Sequence, residues 1–290
     1  MSETARAGGF STPAEEAELA ELASETARMA GALLLERVRD GAEREVTSKS
    51  TPTDLVSEAD VASQRAIREL LRERRPDDGF LGEEEGESEA GTSGLRWVVD
   101  PLDGTVNFLF GIPQWCVSVA VGDGDGTLAA AVFDPNRDEL FCATRGGPAR
   151  LSGSTAVTEL SVRAGGDLEH APGPTSGHGD VLASAMVATG FAYDADVRRE
   201  QAQVFERLAP RVRDIRRFGS AALDLAWTAA GRFDAYYERS VKQWDIAAGA
   251  LLCERAGLEI HELPARDELP WGVLAAPPAL APALLEIVGA

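Results

Sequence analysis

Four short runs rich in Val, Ala and Phe follow one another at residues 96–99, 116–121, 128–133 and 139–143. The turn Gly122-Asp123-Gly124-Asp125-Gly126 separates two of them and suits a hairpin. Successive strands joined by short turns pair antiparallel, so this part of the chain is constrained to a sheet of antiparallel strands. A further extended run is expected at 158–163. The second half has a different pattern. Helical spacing over 201–212, 221–230, 246–255 and 279–288 alternates with extended runs at 233–237, 258–261 and 273–276. Antiparallel strands early and alternation late predict a layered α+β or mixed α/β protein. No linker divides it, so residues 12–290 are expected to form one domain behind a frayed 1–11.

Before the first strands come two helices. Thr12-Pro13-Ala14-Glu15 reads as a capping box with Pro at the first helical position. Leu19, Leu22, Ala23, Met29, Ala30, Leu33 and Leu34 follow at helical spacing, and Gly41 is a plausible stop. A second helix is expected from about Ser57 to Pro76. Residues 165–180 form a polar loop rich in Gly and Pro.

Charge and composition narrow the chemistry. The 290 residues carry 28 basic and 48 acidic side chains, a net charge of −20. Nucleic acid and anionic membrane surfaces need a basic footprint, so neither is an expected partner. No run of eighteen apolar residues exists, and the first residues have no apolar core of signal-peptide length. The expected location is the cytoplasm. The 3 cysteines are far apart, and the 3 histidines supply little for a nitrogen-rich metal site. Any metal is expected to have oxygen ligands and to resemble Mg²⁺, and it would attract an anionic substrate that the bulk charge repels. Only two of the basic residues are lysines, Lys49 and Lys242.

Four acidic segments carry the chemistry. In Trp97-Val98-Val99-Asp100-Pro101-Leu102-Asp103-Gly104-Thr105-Val106-Asn107 an apolar strand ends in an Asp, and a Pro-x-Asp-Gly turn is expected to fold Asp103 back towards Asp100. Two carboxylates and the Leu102 carbonyl would then face one point, a donor set that suits Mg²⁺. A plain surface turn fits the same residues. Gly82-Glu83-Glu84-Glu85 follows the apolar Phe80-Leu81, so Glu83 is the acid best placed to be fixed. Asp60 is the third residue of the second expected helix, where the helix dipole favours a carboxylate whatever its function. Asp245 opens the helix after Trp244, where an N-cap role is equally natural.

In this order, the four segments resemble the inositol monophosphatase family of Mg²⁺-dependent phosphatases. Asp100 to Asn107 is similar to that family's D-P-x-D-G-T-x-N signature, and Trp244-Asp245-x-Ala-Ala-Gly to its second signature. Gly82-Glu83-Glu84, Asp54-x-Val-Ser-x-Ala-Asp60 and Gly219-Ser220-Ala221-Ala222 match further landmarks. The resemblance covers about residues 15–290. It implies a layered αβαβα sandwich, a homodimer, two to three Mg²⁺ ions per site and lithium-sensitive hydrolysis of a phosphate ester such as inositol 1-phosphate. Histidinol phosphate, fructose 1,6-bisphosphate and nucleotide-derived phosphates are alternative substrates, and a non-catalytic interaction protein on this scaffold is a rival from another class.

Carried over residue by residue, the resemblance implies that Glu83, Asp100 and the Leu102 carbonyl hold one ion. Asp100, Asp103 and Asp245 would hold a second, and Glu83 would help a weaker third. Thr105 and Asp60 would orient the attacking water. Gly104 and Thr105 would offer N–H groups to the phosphate, Lys49 would stand at the rim, and Gly219, Ser220, Ala221, Glu238 and Asp245 would face the substrate. Residues 165–180 look like an insertion relative to the family pattern, and the segments at 257–263 and 275–277 depart from it without touching these acids.

Overall fold

The computed structural model describes residues 11–40, 46–48, 55–84, 88–153, 156–161 and 181–289. Lys49, the extreme N-terminus and the 165–180 loop lie outside them. The first helix, α1 (Pro13–Asp40), begins at the expected capping box. The Thr12 amide donates to Glu15 Oε2 at 2.7 Å, and the Glu15 amide donates to Thr12 Oγ1 at 3.2 Å. A small ribbon of β1 (Val46–Ser48) and β2 (Leu55–Ser57) leads into α2 (Glu58–Arg74).

The larger sheet contains β3 (Gly79–Gly82), β4 (Ser88–Glu89), β5 (Arg96–Asp103), β6 (Cys116–Asp123), β7 (Gly126–Asp134), β8 (Glu139–Thr144), β9 (Arg150–Ser152) and β10 (Val157–Glu159). Its order is β10-β9-β8-β7-β6-β5-β3-β4, antiparallel except where β3 runs parallel to β5. The expected hairpin joins β6 to β7. A short helix, α3 (Thr105–Leu109), follows β5.

The smaller sheet has the order β12-β11-β13-β15-β14. Its strands are β11 (Met186–Thr189), β12 (Asp214–Arg216), β13 (Ala235–Arg239), β14 (Glu259–Leu263) and β15 (Gly272–Ala276). The helices of this half are α4 (Ala195–Leu208), α5 (Ala221–Ala229), α6 (Gln243–Ala256) and α7 (Ala281–Val288). Helix α4 lies earlier than the expected 201–212. Asp194 caps it by accepting the Asp196 and Val197 amides at 2.8 and 3.1 Å, and Pro210 follows its end.

Side-chain alternation along the strands builds the layers. Trp97, Val99, Val117, Val119 and Val121 face α1 and α2, packing with Leu22, Leu34 and Ile67. Val98, Cys116 and Ala120 face the opposite way, onto Leu223 and Leu225 of α5 and Leu251 and Leu252 of α6. The same cluster takes Tyr236, Val273 and Ala275 from the smaller sheet. Tyr237, Leu274 and Ala276 face outward to Val204, Leu208, Leu284 and Ile287 of α4 and α7. The order of layers is therefore α1/α2, larger sheet, α5/α6, smaller sheet, α4/α7. Each buried Leu or Val side chain contributes about 1.5–3 kcal/mol, so three such clusters fix the stacking. Among the described residues no helix is long and apolar enough to cross a membrane.

Candidate active site

The site gathers where β5 ends against the N-termini of α5 and α6. The register of β5 on β6 explains how. Asp100 pairs with Ser118, but the next pair is Asp103 with Cys116. Three steps on β5 match two on β6, so β5 carries a β-bulge. Ser118 and Cys116 are two apart and share a side, and so their partners Asp100 and Asp103 share one too. This corrects the expected Pro-x-Asp-Gly turn: Asp103 remains in the strand, and the chain turns only at Gly104. Gly104 has φ 95°, and a Cβ there would lie 2.9 Å from the Gln114 carbonyl oxygen, so the turn needs glycine.

Each acid is anchored by its own element. Asp100 Oδ1 accepts the Leu102 amide at 3.0 Å. Asp103 meets the start of α5: Oδ2 accepts from Ser220 Oγ and the Ala222 amide, both at 2.7 Å, and Oδ1 accepts the Ala221 amide at 3.3 Å. Asp245 is the third residue of α6 and does not open the helix as expected. Its Oδ2 accepts the Lys242 amide at 2.6 Å, which closes the first turn. Glu83 directly follows β3, and its amide donates to the Val99 carbonyl at 3.2 Å, extending the parallel pairing alongside Asp100. Its neighbour Glu84 is buried, and the Gln64 side chain bonds both its backbone amide and its carbonyl.

A second cluster stands at the end of β5. Thr105 Oγ1 donates to Asp60 Oδ1 at 2.9 Å and lies 3.1 Å from the Leu102 carbonyl oxygen. Asp60 is fully buried. Ser63, one turn further along α2, donates to the Pro101 carbonyl at 2.9 Å and so ties that helix to the bulge.

Glu238 lies inside β13, where the expected run had stopped at 237. It is half-buried rather than a solvated charge beside Arg239, and Arg239 itself is 3% exposed. Tyr236, two residues back on the same face, donates to Glu238 Oε2 at 2.9 Å. A Cβ at Gly190 would lie 2.0 Å from Glu238 Oε1, so a glycine makes room for the carboxylate.

The electrostatics follow from packing acids together out of water. Burial, then the charges of Glu83, Asp103 and Asp245, push the Asp100 carboxyl well above the usual range. Burial, Glu83 and Asp103 do the same to Asp245. Asp103 rises only to about 6, because Ser220 and the α5 amides offset its burial. Glu238 is pushed up to about 7 by burial, against the Tyr236 hydroxyl and the Arg217 charge. Among the described residues no three acidic, His or Cys side chains are already drawn into a metal cage. The donor set fits an oxygen-loving divalent cation: all carboxylates and carbonyls, held near one another at an electrostatic cost that a cation relieves.

Several contributors were not legible as site residues in the sequence. Asn107 donates to the carbonyls of Gln114 and Phe218, both at 2.7 Å, and joins α3 to the segment before α5. Its signal was its place in the signature. Tyr236 could have been found from the spacing of two to Glu238 in a strand. Asp224 on α5 is 1% exposed, and among the described residues neither carboxyl oxygen has a hydrogen-bond partner. Burial and the charges of Glu238 and Asp103 raise it well above the ordinary value. Nothing in the sequence marked it.

An αβαβα sandwich with acids at the ends of β3 and β5 and at the start of α6 defines a class of protein, and comparison with known sequences identifies it. The inositol monophosphatase family profile matches residues 15–289, and the chain belongs to that family. The "Inositol-1-monophosphatase SuhB" of Mycobacterium tuberculosis (strain ATCC 25618 / H37Rv) is 39% identical over 251 residues, covering 85% of this chain and 81% of that protein. The "Nus factor SuhB" of Pasteurella multocida (strain Pm70) is 37% identical over 237 residues, covering 81% and 82%. Among solved structures, the extragenic suppressor protein suhB from Bartonella henselae superposes with a TM-score of 0.79 at 31% identity, covering 92% of this chain and 97% of the other.

Proposed function

We propose that this protein is a Mg²⁺-dependent phosphomonoesterase of the cytoplasm acting on a polyol phosphate, inositol 1-phosphate being the leading substrate. One observation carries the reading: the bulge in β5 sets Asp100 and Asp103 on one side, facing Glu83 and Asp245, with the Thr105–Asp60 pair at the strand's end. Glu83, Asp100 and the Leu102 carbonyl would hold one Mg²⁺, and Asp100, Asp103 and Asp245 a second, with Glu83 also helping a weaker third. When bound, such ions lower the pKa of water and neutralise charge on the transferring phosphoryl group.

The chain's own groups supply positioning. Asp60 accepts the hydrogen bond of the Thr105 hydroxyl, which would leave the Thr105 oxygen as an acceptor for the attacking water. The amides of Gly104 and Thr105, at the head of α3, would donate to phosphate oxygens. Gly219, Ser220 and Ala221 place the start of α5 beside them, with Ser220 and Ala221 fixing Asp103. Glu238 keeps acceptor capacity beyond the Tyr236 bond and would read substrate hydroxyls. Lys49, outside the described residues, would stand at the rim. Little covalent protein chemistry is required of a phosphoryl-transfer site, which suits a cluster whose cysteine, Cys116, lies against Asp103 with its thiol pushed well above the ordinary range by burial.

Relatives named for a Nus factor bring in the non-catalytic reading. A scaffold retained only for interaction would be free to lose a ligand carboxylate, and Glu83, Asp100, Asp103, Asp245, Asp60 and Thr105 are all present. The same family reading includes a homodimer, checked by light scattering, and millimolar lithium inhibition. The test is phosphate release from a panel of phosphomonoesters with and without Mg²⁺. Inositol 1-phosphate should lead the panel. A different leading ester, such as histidinol phosphate, would replace the substrate but keep the chemistry, and no release from any ester would reject the phosphatase.

A further inference from the structure

The segment that leads into α5 carries an exposed cation, Arg217, two residues before Gly219. Its backbone is fixed on both sides. Arg216, the last residue of β12, spends its own guanidinium on Asp214 and the Ile215 carbonyl. The Phe218 ring packs 5.7 Å from Trp227 and 5.8 Å from Phe233, and its carbonyl accepts the Asn107 carboxamide at 2.7 Å. The Arg217 side chain is thereby delivered over Gly219. A Cβ on that glycine would lie 2.5 Å from Arg217 Nη1 and 3.4 Å from Asn107 Nδ2. The next residue, Ser220, holds Asp103. The guanidinium therefore stands where the heads of α3 and α5 meet.

Among the described residues Arg217 makes no hydrogen bond or ion pair, so its donors are unspent. Its charge nevertheless reaches Glu238 on β13 and Asp224 on α5. Burial raises both carboxyls, and Arg217 offsets part of the rise in each. A donor and an acceptor that act on each other without bonding are separated, and a ligand group between them can satisfy both. Charge selects the group. A second phosphate or a carboxylate would take the Arg217 donors but would stand beside two acids that are already costly to ionise. A hydroxyl is both donor and acceptor, so it can give its hydrogen to Glu238 and receive one from Arg217.

We propose that Arg217 is a specificity-determining residue whose guanidinium donates to the oxygen of a substrate hydroxyl, the hydrogen of that hydroxyl going to Glu238. This role rests on the phosphatase reading and narrows it. Glu238 and Arg217 together read a neutral hydroxyl of a polyol monophosphate, in preference to a second anionic group such as the far phosphate of fructose 1,6-bisphosphate.

Steady-state kinetics on the full-length, Mg²⁺-loaded protein test this. Arg217→Ala should lower kcat/KM on inositol 1-phosphate roughly 5- to 50-fold, mostly through KM, and at least about 5-fold more than on 4-nitrophenyl phosphate. Tm should move by no more than about 2 °C, because the side chain is exposed and bonds nothing in the fold. In the double variant with Glu238→Gln the two losses should not multiply, since either change alone already breaks the reading of one hydroxyl. Equal losses on the two esters would place Arg217 at the phosphate or in the fold and overturn the proposal. So would no loss on either ester, losses that multiply in the double variant, or a greater loss on fructose 1,6-bisphosphate than on inositol 1-phosphate. A wild-type protein that releases phosphate from no ester is a different result: it rejects the phosphatase itself, and this role with it.

Discussion

Asp103 is a buried carboxylate and Glu238 a half-buried one near the same cleft, and they are held in opposite ways. Asp103 accepts from Ser220, from the first amides of α5 and, at longer range, from the Cys116 thiol. Among the described residues Glu238 accepts only from Tyr236, and it has a glycine at its back. The first is rigid and kept close to ionisation at working pH, lying at about 6. The second, at about 7, retains unused acceptor capacity. The larger sheet thus presents a carboxylate fixed for a cation, and the smaller sheet one left available for a ligand's donors.

Four experiments break or sharpen that contrast. The largest effect should come from removing metal: EDTA is expected to bring phosphatase activity to background on every substrate, with recovery on adding Mg²⁺. Retained activity in the stripped protein would dissolve the distinction altogether. Next, Asp103→Asn should lower kcat by at least about a thousandfold while circular dichroism stays native, as expected when charge stabilisation of a transition state is weakened. A variant within tenfold of wild type would reduce Asp103 to a structural cap on α5.

Smaller and selective is Glu238→Gln. Losing a charged hydrogen bond costs about 1–3 kcal/mol, so kcat/KM on inositol 1-phosphate should fall roughly 5- to 150-fold. Hydrolysis of 4-nitrophenyl phosphate, which has no ring hydroxyls, should change little. Equal losses on both esters would move Glu238 to the metal side of the comparison.

The mildest effect is on stability. Asp103 rises from 3.8 to about 6 and Glu238 from 4.5 to about 7 on folding. A carboxyl whose folded pKa is raised holds its proton more tightly in the native state. Its contribution is complete below the unfolded value and is lost as pH climbs through the folded one. The metal-free protein should therefore lose Tm between about pH 4 and 7, and Glu238→Gln should flatten the upper part of that fall. Scanning calorimetry in chelator checks it, and a Tm that rises over this range would contradict the burial of both groups.

Legibility in the sequence followed the range of the interaction. The α1 cap was readable because Thr12 and Glu15 are three residues apart, and the apolar strands because their neighbours share their pattern. Helix α4 begins before the apolar spacing from 201 implies, because the Asp194 cap sets its start. The candidate acids were visible as residue types, and the resemblance paired Asp60 with Thr105 across 45 positions. What no local pattern could supply was register. The bulge exists only relative to β6, and Asp224 becomes an unpartnered buried acid only once the second sheet closes over α5.

The extra residue in β5 has a consequence for how such a chain can vary. A strand counts in twos, and Asp100 and Asp103 stand an odd number apart, so a regular strand would send them into different layers. The inserted residue restores even parity. Selection at this stretch thus falls on how many residues lie between the two acids as much as on which ones. Many substitutions at Leu102 leave the count intact, whereas deleting it would set the two acids two apart, on one side of a regular strand with no bulge, and would remove the carbonyl that the bulge brings beside them.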